Sequence, residues 1–189
     1  MSNSKTEEIS IPAEYRKKSW HYSIVLLDDM KETLEILREA IIDLFANEER
    51  YDVDIYDYTT SMKVIEKCST SDIDVFVLDV ARKACYLGQA REYDHFGYDL
   101  FKLLVYERPN TLVRSKFIFY SKLSAESIRK EFGQLSDLVE EARKRKLYNM
   151  VEIPEIDYLK KQTTSAYDVA KRIKEYLDSV YLMENSVGF

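Results

Sequence analysis

The chain has 189 residues, room for one domain of ordinary size with extensions, and its 46% hydrophobic content with four Gly and three Pro excludes a disordered chain. Its net charge is −6 and no broad basic patch interleaves with aromatics, so the attraction that dominates nucleic-acid binding is missing. Two cysteines, Cys68 and Cys85, lie in separate segments without CxxC spacing or a neighbouring His; neither a disulfide framework nor a zinc site is expected, and both thiols read as reduced and buried.

Residues 1–19 are polar apart from Ile11, Pro12 and Tyr15 and read as a flexible extension. They contain no apolar signal-like core, and runs such as Ile24 to Leu27 are far too short to span a bilayer, so no membrane insertion and a cytoplasmic location are expected. The domain is expected over 20–183, with 184–189 as a tail.

Ser23-Ile24-Val25-Leu26-Leu27 is a continuous apolar run ending in Asp28-Asp29, the pattern of an interior parallel strand buried on both faces. Leu34, Leu37, Ile41, Leu44 and Phe45 then recur at helical spacing. Asp52-Val53-Asp54-Ile55-Tyr56 alternates, as an edge strand with one exposed face does, and Met62 with Ile65 marks a short helix. Val75-Phe76-Val77-Leu78 is a second interior strand, ending in Asp79. The polar, poorly periodic stretch from Val80 to Phe96 reads as a loop with at most a short helix, and Leu100, Leu103 and Leu104 mark a third helix.

Phe117-Ile118-Phe119-Tyr120 is a strand ending in Ser121. Ala125 to Pro154 is mostly helical in pattern, and its Arg143-Lys144-Arg145-Lys146 run suits a helix C-terminus. Ile156-Asp157-Tyr158-Leu159 offers a fifth strand, and Val169, Ala170, Ile173, Tyr176, Leu177 and Val180 form the core-facing stripe of a last helix. Strands alternating with helices in this way specify an α/β sheet.

In a parallel sheet the C-terminal strand ends open onto one rim, so groups just after strands converge there. That rule collects Asp28, Asp29, Asp79, Ser121 and Lys161. Clustered carboxylates repel unless a cation sits among them, and Mg²⁺, a hard ion preferring oxygen ligands, suits the set.

The run from Ile24 to Asp29, the run Asp74-Val75-Phe76-Val77-Leu78-Asp79, Gly97-Tyr98-Asp99-Leu100, the strand-ending Ser121 and Tyr158-Leu159-Lys160-Lys161 resemble the receiver (response-regulator) domains of two-component signalling, over about Tyr22 to Leu182. The resemblance implies a flavodoxin-like, doubly wound five-stranded parallel sheet in the order 2-1-3-4-5 with helices on both faces. It implies Asp79 as the phosphoacceptor and Asp28, Asp29, Asp79 and the Ala81 carbonyl as the Mg²⁺ ligands. Ser121 and Lys161 would contact the phosphoryl oxygens, and Ser121 with Tyr158 would form the switch. The expected partners are a histidine kinase or phosphotransfer protein and a downstream effector protein.

The chain departs from the family's pattern in several places. Ala81-Arg82-Lys83 stands where Met-Pro is common, Lys122 replaces a small residue after Ser121, and Gln162 replaces the usual Pro. Lys160 would take the place of Lys161 if the register slipped by one residue. His95, in the loop before Gly97, reads either as solvated or as a rim residue. Two other functions remain open: an interaction module that does not use phosphorylation, and a metal-dependent phosphohydrolase. The lack of a Gly-rich phosphate loop counts against the second.

Overall fold

A computed structural model describes residues 20–80, 96–107, 115–132 and 155–186, with 137, 140 and 144 singly between. The chain alternates β1 (Trp20–Leu27), α1 (Lys31–Phe45), β2 (Tyr51–Tyr58), α2 (Ser61–Cys68), β3 (Val75–Leu78), α3 (Phe96–Glu107), β4 (Lys116–Ser121), α4 (Ala125–Phe132), β5 (Glu155–Lys160) and α5 (Ala166–Ser186). All strand pairs are parallel, in the order β2-β1-β3-β4-β5, as the sequence predicts. Ala81, Cys85, His95, residues 1–19 and most of the stretches after β3 and α4 lie outside the described residues.

The central strands are buried because both faces of the sheet are covered. Ile24, Leu26, Val75, Val77 and Ile118 meet the stripes Leu34, Leu37 and Ile41 of α1 and Val169, Ile173 and Leu177 of α5. Val25, Leu27, Phe76, Leu78, Phe117 and Phe119 face Val64 of α2, Phe101 of α3 and Ile128 of α4. Phe76 stacks on Phe117 with centroids 4.7 Å apart, and Phe101 meets Phe117 edge-on at 4.8 Å, the offset and T-shaped arrangements that the ring quadrupole favours.

Helix α2 forms where the sequence places a short helix. Its inward positions are Val64 and Cys68, four residues apart, with Ile65 half-buried, whereas Met62 is 64% exposed. Met62 falls on the first turn, and the buried face is set one residue pair further along the helix. Helix α5 starts at a reciprocal cap: Asp168 N–H donates to Ser165 Oγ at 3.1 Å and Ser165 N–H donates to Asp168 Oδ2 at 3.0 Å. It then runs unbroken to Ser186. No described helix is long and apolar enough to cross a membrane.

At the end of the sheet away from the strand C-termini, an ion network ties the α1–β2 turn to α5. Arg50 donates to both Glu48 carboxylate oxygens, at 2.7 and 2.6 Å, and to Asp178 at 2.7 Å. Lys174 donates to Glu48 at 2.5 Å, and the Tyr51 hydroxyl donates to Asp178 at 2.6 Å. The Glu48 side chain is 7% exposed, so this is more than a solvated surface pair.

Glu48 is held well below its ordinary value of 4.5, chiefly by hydrogen bonds from Arg50, and burial only partly opposes them. A carboxyl depressed in the folded state adds stability that is fully present above its unfolded pKa and drains away as pH falls toward the folded one. Stability in denaturant melts is therefore expected to decline from about pH 5 to about pH 2, and Glu48→Gln to reduce that decline while costing stability at neutral pH. Equal acid slopes in the two proteins would remove Glu48 from the account.

Candidate functional site

The site lies at the C-terminal ends of the two central strands. Leu27 and Leu78 are register partners, so the next residues, Asp28 and Asp79, leave the sheet side by side. Both backbones are pinned beyond the formal strand ends: Asp79 N–H donates to Leu27 O at 2.8 Å and Asp28 N–H to Tyr58 O at 3.2 Å. Asp28 Oδ1 also accepts from Met30 N–H at 3.0 Å, turning the chain into α1.

Side chains alternate between the faces of a strand, and this parity decides which groups meet. Ile24 and Leu26 precede Asp28, and Val75 and Val77 precede Asp79, all on the α1/α5 face. Leu159 packs on that face, so Lys161 points there and Lys160 points away. The register left open in the sequence is settled accordingly: Ser121 pairs with Lys160, and Lys161 N–H donates to Ser121 O at 2.8 Å just beyond the strand.

Lys161 Nζ lies 2.5 Å from Asp28 Oδ2 and 2.7 Å from Asp79 Oδ2. Asp28 and Asp79 are 2% and 7% exposed, and the Lys161 side chain is 10% exposed. The pKa of Asp28 is raised, first by burial and further by Asp79, against the pull of Lys161. Burial works against the charged ammonium of Lys161, but Asp79 and Asp28 outweigh it and its pKa is raised. One cation is thus shared between two buried acids, with charge-assisted bonds to each.

Asp29, exposed, completes a set with Asp28 and Asp79 in which one oxygen of each lies within 4.8 Å of the others. Asp79 Oδ1 is buried and has no hydrogen-bond partner among the described residues. A buried acceptor left so is costly, and three carboxylates within reach of one another are what a hard divalent cation requires. The donor set therefore fits Mg²⁺ through Asp28, Asp29 and Asp79. The further ligand implied by the resemblance, the Ala81 carbonyl, is outside the described residues.

Ser121 is 1% exposed at the end of β4, and its Oγ accepts from Leu123 N–H at 3.3 Å. Tyr158 lies on the opposite sheet face from Lys161, stacked on Phe119 at 5.7 Å with the Arg129 guanidinium 5.5 Å from its ring centroid. Lys122 is exposed. Two contributors have no role in the sequence reading. Tyr120, on the Lys161 side of β4, places its ring 5.7 Å from Lys161 Nζ. A Tyr in an otherwise apolar interior strand is the signal for it, because a buried hydroxyl needs a partner.

The other is Gly97. α3 closes onto the strand end carrying Asp79: Gly97 and Tyr98 N–H donate to Val80 O at 3.1 and 3.3 Å. A Cβ at Gly97 would run into the carbonyl of Asp79 and come within 3.1 Å of Leu78 Cβ.

No protein-family model matches the chain, and no curated protein sequence matches it. Among solved structures, the chemotaxis response regulator CheY4 of Vibrio cholerae is 10% identical with a TM-score of 0.50, covering 82% of this chain and 98% of that one. The RcsB response regulator of Salmonella typhimurium is 15% identical (TM-score 0.49; 85% of this chain, 61% of that one). The signal receiver domain of an HD domain-containing protein from Pseudomonas fluorescens Pf-5 is 12% identical (TM-score 0.48; 90% and 96%). At these identities a likeness speaks for the fold alone, and with its strand order and two helical layers the chain has the flavodoxin-like fold of receiver domains.

The closeness of α3 to Asp79 yields a test. Gly97→Ala is expected to cost about 1–3 kcal/mol, as overpacking against backbone does, which outweighs the up to ~1 kcal/mol that Ala gains over Gly inside a helix. Denaturant melts measure it; unchanged stability would mean that the Asp79 backbone yields freely.

Proposed function

We propose that the chain is a phosphoacceptor signalling domain: Asp79 takes a phosphoryl group in a Mg²⁺-dependent reaction, and a partner protein reads the result. The observation that carries this is the buried Asp79 Oδ1, unpartnered among the described residues, in a carboxylate that meets Lys161 and two further acids. In the step itself a carboxylate oxygen of Asp79 attacks the phosphorus of the donor, the bond from phosphorus to the leaving group breaks, and its electron pair departs with that group. The product is an acyl phosphate. When bound, Mg²⁺ held by Asp28, Asp29 and Asp79 offsets charge on the carboxylates and phosphoryl oxygens.

The chain's own groups do the positioning. Lys161 already touches the attacking carboxylate and is placed to pair with a phosphoryl oxygen as charge moves onto the transferred group. Ser121, buried at the neighbouring strand end, can donate its O–H to another. Drawing Ser121 toward the phosphoryl group would change the packing near Leu123 and Tyr158, the elements through which a downstream effector protein would read the state. The donor suited to this chemistry is a histidine kinase or a histidine phosphotransfer protein, whose phosphorus–nitrogen bond breaks in the transfer.

Incubation with Mg²⁺ and acetyl phosphate should add one phosphoryl group per chain, read by intact mass, and Asp79→Asn should abolish it. An adduct that survives that change, or turnover without adduct, would overturn the assignment; no adduct in the unaltered protein would favour a phosphorylation-independent interaction module. Lys161→Met carries opposite expectations for binding and chemistry. Removing a cation a few ångströms from the ligands should raise Mg²⁺ affinity about tenfold, while phosphoryl uptake slows. Weaker Mg²⁺ binding in that variant, measured by titration, would contradict a metal site shared with Lys161.

A further inference from the structure

We infer that Tyr120 is the positioning residue for Lys161, holding its ammonium over Asp28 and Asp79 by a ring contact on one side and a loop anchor on the other. This rests on the reading of Lys161 as the group that pairs with the phosphoryl oxygens. Lys carries its charge on a flexible four-carbon stem, so an ammonium that must meet a transferred group in one geometry has to be restrained by its surroundings. Asp28 and Asp79 cannot supply the whole restraint, because the same two carboxylates would also hold the metal.

The contacts of Tyr120 supply the rest. It is 7% exposed and pairs with Leu159 across the β4–β5 ladder, so its ring stands on the same sheet face as Lys161. The ring centroid lies 5.7 Å from Lys161 Nζ, within the range of a cation–π attraction that strengthens on desolvation. The hydroxyl reaches past Lys161 and donates to Thr164 O at 3.1 Å. Thr164 closes the turn after β5, where Thr163 and Thr164 N–H both donate to Lys160 O at 3.0 Å. The turn is therefore fixed at its start by Lys161 N–H on Ser121 O and at its end by the Tyr120 hydroxyl. Lys161 lies between the two fixed points, with the Tyr120 ring beside its charged end.

Two substitutions separate the parts of the clamp: Tyr120→Leu removes ring and hydroxyl, and Tyr120→Phe removes the hydroxyl alone. The first readout needs neither metal nor phosphodonor. In nitrogen-15 spectra of the lysine ammonium groups, a protected Lys161 signal, assigned by its loss in Lys161→Met, should persist in Tyr120→Phe and vanish into solvent exchange in Tyr120→Leu. Amide exchange at Thr163 and Thr164 should quicken in both. The second readout is the rate of phosphoryl uptake, which Tyr120→Leu should slow about tenfold in the unaltered background and leave unchanged in the Lys161→Met background.

A Lys161 signal that is as well protected in Tyr120→Leu as in the unaltered protein would overturn the inference. So would an equal rate loss in the Lys161→Met background, since that marks a general packing defect. If Tyr120→Leu does not fold, Tyr120→Phe decides: unchanged turn exchange would remove the loop anchor. Failure of the unaltered protein to take up phosphate at all would sink the phosphoacceptor reading, while the ammonium spectra would still decide the clamp.

Discussion

Two carboxylates, Asp28 and Asp79, are buried side by side at the ends of adjacent central strands, and their mutual repulsion has to be answered by positive charge. The Lys161 ammonium answers it, at hydrogen-bond distance from both. Removing one partner from such a buried group leaves a charge without compensation, a far larger cost than losing a surface ion pair. The triad is therefore a structural tie across the sheet. It joins β1, β3 and the turn after β5, elements that the chain order separates widely.

The tie is possible because the faces of the sheet are dedicated to different tasks. The α1/α5 face carries Asp28, Asp79, Tyr120 and Lys161 above an aliphatic layer of Ile24, Leu26, Val75 and Val77. The α2/α3/α4 face is aromatic, with Phe76, Phe101, Phe117 and Phe119 interlocked and Tyr158 at its margin. A close-packed aromatic layer transmits displacement instead of absorbing it. Ser121, buried at the end of the strand that carries Phe119, stands beside the acids of the other face.

The opposite ends of the sheet are likewise distinct in electrostatics. At one end the Glu48, Arg50, Lys174 and Asp178 network is closed, each charge facing an opposite one. At the other, Asp79 Oδ1 is left without a hydrogen-bond partner among the described residues. Fully paired networks rigidify a fold, whereas an unsatisfied buried acceptor carries a cost that some feature of the site has to answer. The same α5 that is anchored by Lys174 and Asp178 follows directly from the turn carrying Lys161, so one helix ties the two ends of the sheet together.

The sequence determined the strands and the acids at their ends, because continuous apolar runs and strand-ending Asp residues are local signals that need no knowledge of neighbours; the strand order followed only from the resemblance of those motifs to receiver domains. It also brought Lys161 to the rim but left Lys160 as a rival, since a one-residue slip exchanges the faces of a strand and adjacent lysines look alike to any local pattern. Only the packed sheet decided for Lys161, through the pairing of β5 with β4. Tertiary structure alone also disclosed that Tyr120 lies beside that lysine, that Gly97 is needed where α3 presses on the Asp79 backbone, and that α2 turns Val64 inward and leaves Met62 exposed. Each of these depends on the distance between elements remote in the chain, and that distance is set by how the two helical layers pack on the sheet, which no single stretch of residues encodes.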